Sequence, residues 1–191
     1  MIRLLSDKTI GAVRYGKGSL LNLAPDIEVT LIEAGAAENL PVISRPIEIL
    51  SSSAVPASCG LTDADEVLAS FTIPAGTLGR NSGLQIEPVW SFSSSANNKI
   101  VKVKIGIVTI YSATRTTSAK EAPLIVLVNR NSLASQIQPY DSDYAAAGTG
   151  IPNKYTIDFS TTKTIEITGQ RANAGDTLTL EYFRILHFVG S

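Results

Sequence analysis

A chain of 191 residues can bury the core of one ordinary domain with a small appendage. Its 16 lysines and arginines stand against 17 acidic residues, a formal net charge of −1, which excludes the broad cationic surface of a non-specific nucleic-acid binder. A single cysteine, Cys59, excludes an intrachain disulfide and reads as a buried thiol.

Only 17% of the residues are charged and 44% are apolar, a lightly charged balance suited to a tightly associated oligomer. The opening "MIRLLSDKTIGA" lacks the apolar core of a signal peptide, and no stretch approaches the ~20 apolar residues of a membrane span. Synthesis in a cytoplasm is expected, followed by residence there or in a larger particle.

Residues 1–40 predict a self-contained adaptor. "IRLLSDKTI" and "AVRYGKGSLLNL" read as short strands about a glycine turn, and "PDIEVTLIEAG" as a helix. Pro25 suits a first helical position, Asp26 and Glu28 suit the positive end of the dipole, and Gly35 is a stop. Ile27, Leu31 and Ala34 share one helical face. Within this unit Gly11, Gly16 and Lys17 open like a phosphate-binding G-x-x-x-x-G-K-[ST] loop. Gly18 occupies the hydroxyl position, however, and a helix begins several residues too late to cap a phosphate, so the segment reads as a turn.

Residues 41–66 predict an extended connector, with prolines at 41, 46 and 56 around a Ser/Ala-rich middle; "PIEIL" within it suits an edge strand. From Val67 to the end, at 191, strand follows strand. "VLASFTI", "LQIEPVWSFS", "KIVKVKIGIVTIYSATRT", "APLIVLVNRN", "YTIDFSTTKTIEITGQRANAG" and "DTLTLEYFRILHFVG" are separated by turn signals. Val101, Val103 and Ile105 alternate with Lys102 and Lys104. The predicted fold is mainly β, an antiparallel β-sandwich with jelly-roll connectivity. In the last strand Tyr182, Phe183, Ile185, Leu186, Phe188 and Val189 make both faces apolar, which fits either an oligomer interface or a central core strand.

The stretch "VLASFTIPAGTLGRNSGLQIEPVWSFSSSANNKIVKVKIG", residues 67–106, resembles a pattern in structural proteins of tailed bacteriophages. Ile73 to Gly79, Gly83, Trp90, Ala96 to Lys99 and Gly106 carry it. The N-terminal strand, glycine turn, "Y-x-x-G" strand and helix ending "L-I-x-A-G-A-A" also resemble a unit of small phage proteins. The resemblance implies a virion component that decorates the head or forms part of a fibre. It carries no catalytic signature. On its own merits Trp90 reads as a core anchor, with a sugar-stacking platform as the alternative.

Catalytic chemistry is not evident. His187 is the only histidine and sits in an apolar strand, too little for a zinc site, and no G-x-S-x-G elbow occurs. The loop "YDSDY", with Asp141 and Asp143 between Tyr140 and Tyr144, is the most site-like; an exposed turn or a tyrosine-mediated subunit contact is set against calcium or sugar binding. "TDADE" at 62–66 reads as a solvated connector.

The expected function is that of a bacteriophage accessory structural protein, a capsid decoration or head-fibre subunit that stabilises the shell. Its expected partners are the major capsid protein or other virion proteins and two further copies of itself, a homotrimer by analogy with other jelly-roll virion proteins. Shell docking is assigned to Arg3, Leu5, Arg14, Tyr15, Ile27 and Leu31. The alternative is a tail-fibre or tail-tip module that recognises a bacterial surface glycan. No enzymatic activity, cofactor, metal, specific nucleic acid or membrane is expected.

Overall fold

The computed structural model describes residues 2–4, 8–10, 13–15, 17, 20–21, 27, 31, 34, 36–39, 47–60, 63–138 and 152–190. Two compact units divide the chain, Met1–Arg45 and Pro46–Ser191.

In the first unit, β1 (Ile2–Leu4) lies between β4 (Leu20–Leu21) and β5 (Ala37–Asn39), both antiparallel to it. Leu4 and Ala36 are buried. Each of the two expected N-terminal strands is divided in two. β2 (Lys8–Ile10) and β3 (Val13–Tyr15) form a separate hairpin, with Ile10 opposite Val13. The P-loop-like stretch therefore contains a paired strand. Successive amides of a strand point in opposite directions, so they cannot converge on one phosphate. Of the expected helix, Ile27 and Leu31 are helical, Ala34 lies in a turn, and the Ala36 N–H donates to the Leu31 carbonyl at 2.9 Å; the rest lies outside the described residues.

The second unit is two antiparallel sheets. The first runs in the order β11 (Val108–Arg115), β10 (Lys99–Ile105), β16 (Lys163–Arg171), β8 (Glu66–Ile73). The second runs β15 (Asn153–Tyr155), β14 (Gln136–Gln138), β13 (Ile125–Asn129), β9 (Gly83–Phe92), β17 (Leu178–Phe188), β6 (Ile47–Ser53). The short strands β7 (Ala57–Ser58) and β12 (Lys120–Glu121) pair β17 and β9.

Residues 46–66 thus belong to the sandwich unit, where an extended connector was expected. The physical reason is the edge of β17: its backbone groups need partners, and Ile47–Ser53 supplies them from Phe183 to Phe188. The "PIEIL" edge strand is real and longer than its apolar letters, because three serines extend it.

Side chains from both sheets fill one core. Val101, Val103 and Ile105 of β10 and Ile165 and Ile167 of β16 meet Leu84, Ile86 and Trp90 of β9 and Leu178, Leu180 and Ile185 of β17. Trp90 is fully buried and stacks on Tyr111 of the facing sheet, with ring centroids 6.4 Å apart and planes at 15°. Gly106, at φ +57°, opens the two-residue turn of the β10–β11 hairpin, where an L side chain would be strained.

One end of the sandwich is clasped by polar groups. Lys99 shares the inward face of Val101 and is fully buried; its ammonium donates to Ser95 Oγ at 2.8 Å and to the Asn97 carbonyl at 2.9 Å. Asn97 and Ser93 donate to the two carboxylate oxygens of Asp176, at 3.0 and 3.1 Å. Arg171 donates to the Asp176 carbonyl and, at 2.7 Å, to the Gly60 carbonyl. The "SANNK" turn is therefore bound to the turn before β17.

Hydrogen bonding from Ser95, then from Asn97 and Ser93, with the charge of Lys99, holds the Asp176 carboxyl below the usual carboxylate range despite its desolvation. Burial would push Asp65 up, but hydrogen bonds from Lys104 and Lys102 and their two charges bring it below the usual range as well. A carboxylate with a lowered folded-state pKa adds stability above its unfolded value, here 3.8, and loses it as pH falls through the folded value. The melting temperature is therefore expected to hold level from neutral pH down to about 5. Below about 4 it should fall, and the Lys102→Met, Lys104→Met double variant should flatten that fall by removing the Asp65 contribution.

Candidate interaction face

Strands β9, β13 and β17 are apolar toward the core, as a sandwich requires, but β13 and β17 are also apolar on the other side. The register shows why this matters. Val128 lies opposite Gly83 and Ile137, Gly83 lies opposite Phe188, and Phe188 lies opposite Ile47. One step along, Val126 lies opposite Gln85, Gln85 opposite Leu186, and Leu186 opposite Ile49. Residues paired across strands share a face, so two largely apolar rows cross the exterior of the six-stranded sheet, one from β14 to β6 and one, interrupted by Gln85, from β13 to β6.

Gly83 allows the central closure. A Cβ there would stand 3.3 Å from Val128 Cγ2 and 3.5 Å from Phe188 Cδ2, so these two side chains close over the glycine. Leu186 is only 8% exposed although it points away from the core. Farther along, Arg184 is paired with Glu87 at 2.6 Å, and Val89 lies opposite Tyr182. The Arg184–Glu87 pair neutralises itself within the face, and Lys154, opposite Ile137, and Glu181, which accepts from Ser91, stand farther out on the same exterior; the Glu87 hydrogen bond and charge raise the Arg184 guanidinium further above its ordinary value.

The other sheet has a different exterior. Lys102, Ser112 and Thr168 share one row there, and Lys104, Thr109 and Glu166 the next, with Ser70 and Thr72 on β8; Ile100 and Val67 are its aliphatic members. Apart from those two, this exterior is polar, whereas the other carries an apolar patch of Val126, Val128, Ile137, Leu186, Phe188, Ile47 and Ile49 among its polar groups.

The six residues expected on the last strand divide between the two sides. A register shift between Leu180 and Tyr182 turns the strand over. Phe183 and Ile185 then belong to the core, while Tyr182, Leu186 and Phe188 belong to the exterior. Val189 follows the strand and is 42% exposed. His187 faces inward opposite Leu84, 5% exposed, with Nδ1 3.8 Å from Glu48 Oε2.

Of the residues assigned to shell docking, Arg3 lies in β1, Arg14 and Tyr15 in β3, Ile27 is exposed and Leu31 half-buried; Leu5 lies outside the described residues. The loop 140–144 also lies outside them. Trp90, fully buried, is a core residue and offers no ring to a sugar. Cys59 is buried.

Val126, Val128, Ile137, Ile47 and Ile49 are the members of the face that reading the sequence did not single out. The signal was present in "LIVLV", whose double-sided apolarity is twin to that of β17. Among the described residues no group of three histidine, cysteine or acidic side chains is placed to hold a metal, and no helix is long and apolar enough to cross a membrane.

No protein-family model and no curated protein matches the chain. Solved structures show faint likenesses. The CBM2 module of the evolved Dit of Lactobacillus casei BL23 phage J-1 aligns over 64% of this chain and 70% of its own, at 12% identity and a TM-score of 0.34. The infectious bursal disease virus Gx strain aligns over 93% of this chain and 47% of its own, at 12% identity and a TM-score of 0.26. T=1 particles derived from that virus align over 94% and 42%, at 12% identity and a TM-score of 0.27. The chain spans less than half of those viral chains, and scores this low carry no weight for role.

Proposed function

We propose that this chain is an accessory structural subunit of a bacteriophage particle, a head decoration or head-fibre protein resident in the virion. It acts by adhesion through buried area. The first unit docks on the major capsid protein or another virion protein, and the sandwich packs against further copies about a symmetry axis as a trimer. The observation that carries this reading is the apolar exterior of the six-stranded sheet beside the polar exterior of its partner. An exposed apolar expanse of this kind marks an association surface.

The strand order supports the jelly-roll part of the reading. The neighbours β6-β17-β9-β13 and β8-β16-β10-β11 form two four-stranded sets, and the chain passes between them at each step except the β10–β11 hairpin. The resemblance of residues 67–106 to tailed-phage structural proteins supplies the particle. The reading includes no catalysis; turnover of a small molecule that depends on one carboxylate would overturn it.

Co-sedimentation with purified capsids is the direct test. The expected result is binding that saturates at a fixed number of copies per capsomer, with no retention by host cells. Retention by cells and not by capsids would replace this reading with that of a glycan-binding fibre tip.

A further inference from the structure

His187 is the chain's only histidine, and it takes no part in the apolar face. It stands near the end of β17, turned inward, and neither ring nitrogen has a hydrogen-bond partner among the described residues. Leu84 faces it from β9, and Glu48 faces it from β6 with Oε2 3.8 Å from Nδ1. Across the core β8 supplies Phe71 and Ile73, and β16 supplies Ile165. β16 begins with Lys163, whose ammonium donates to Thr161 Oγ1 at 2.8 Å.

Such a setting suits the neutral ring alone. An imidazole in water takes up a proton near pH 6.5, and imidazole is the side chain whose ordinary range falls between about pH 5 and 8. Held inside, the imidazolium would lose its hydration, which is costly. In return it would gain one carboxylate, and the Glu48 side chain is itself 57% exposed, so that ion pair would be weak. Desolvation wins, and the ring must reach water to carry its charge.

The cheapest route to water is past β6. It ends its sheet, among the described residues it pairs β17 alone, and none of its seven residues is buried. A segment with so little buried apolar area opens at least cost. We propose that His187 is a proton-operated latch on this edge strand: the neutral ring lies closed beside β6, and below about pH 6 its protonation releases β6 from β17 while the other strands stay folded. The latch is separate from the virion reading and needs no capsid. It leaves the melting temperature level above pH 5 as well. An edge strand opens before a core melts, so at the transition the ring is wet in both states.

Hydrogen exchange of the full chain, read by mass spectrometry and corrected for its intrinsic pH dependence, tests this between about pH 7.5 and 5. Peptides over residues 47–53 report β6, and peptides over 99–105 report β10, a strand paired on both sides. Protection of β6 is expected to fall about thirtyfold across that range, approaching tenfold per pH unit, while β10 holds. In His187→Gln and His187→Leu, which fill the site without a titrating ring, the fall should vanish; circular dichroism checks the folds, and either folded variant serves. Glu48→Gln, changed at an exposed side chain, should keep the fall. A parent whose β6 and β10 keep parallel profiles overturns the inference. So does a fall that persists in a folded His187 variant, or one that disappears in Glu48→Gln.

Discussion

Trp90→Ala is expected to remove about 3–5 kcal/mol of stability from the sandwich. That is a large share of the roughly 5–15 kcal/mol that holds a typical domain. The indole bridges the sheets: it rises from β9, is fully buried, and stacks on Tyr111 of β11. The hole cannot easily collapse, because the Tyr111 hydroxyl is tied to Glu121, and Glu121 is held by Arg115 at 3.0 Å and paired in register beside Trp90 itself. Trp90→Phe should cost much less. It keeps an aromatic ring against Tyr111 and removes an indole N–H that is buried without a hydrogen-bond partner among the described residues, a burden of roughly 1–3 kcal/mol. Urea denaturation of the two variants decides the matter. If Trp90 were instead a sugar platform, Trp90→Ala would leave the midpoint unchanged.

The strands of the sandwich were legible because alternation is a local signal. β10 shows this best: the letters "KIVKVKI" give its inward and outward sides directly, and the observed burial follows them. The same alternation contained a message that is easy to pass over. Lys99 has the parity of Val101 and Val103, so the pattern alone assigns its ammonium to the interior, where it is found. Its carboxylate counterpart was not legible, since Asp176 lies in a turn far along the chain and joins it only through Ser93, Ser95 and Asn97.

β6 was half legible for a related reason. "PIEIL" suits an edge strand, but the serines that complete it carry no apolar pattern and its partner β17 is remote in sequence, so only the completed sheet shows its length and its place. The face itself was half legible. β13 and β17 each announced two apolar sides, but either could have been a central core strand. What the letters lacked was that both flank β9 in one sheet and turn their second sides the same way, a fact that depends on the register shift at Leu180.

That shared direction sets the second large effect. Val126→Asp is expected to weaken retention on capsids by about a hundredfold or more while the sandwich stays folded. Val126 is half-buried on the exterior, opposite Gln85 and one row from the Val128–Phe188 closure, so it makes little of the core. In a covered interface the new carboxylate would be desolvated without a partner, a penalty of several kcal/mol against association. If self-association is lost, each copy also forfeits the gain from multivalent attachment, commonly 10²–10⁴ in avidity. Ser112→Asp supplies the comparison: the same carboxylate, on an exposed position of the other sheet beside Lys102, remains in water and finds a cation nearby. It should bind capsids as the parent does. Equal binding by the two variants would mean that the apolar exterior is not the adhesive one, because both place the same carboxylate on an outer face and differ in which sheet bears it.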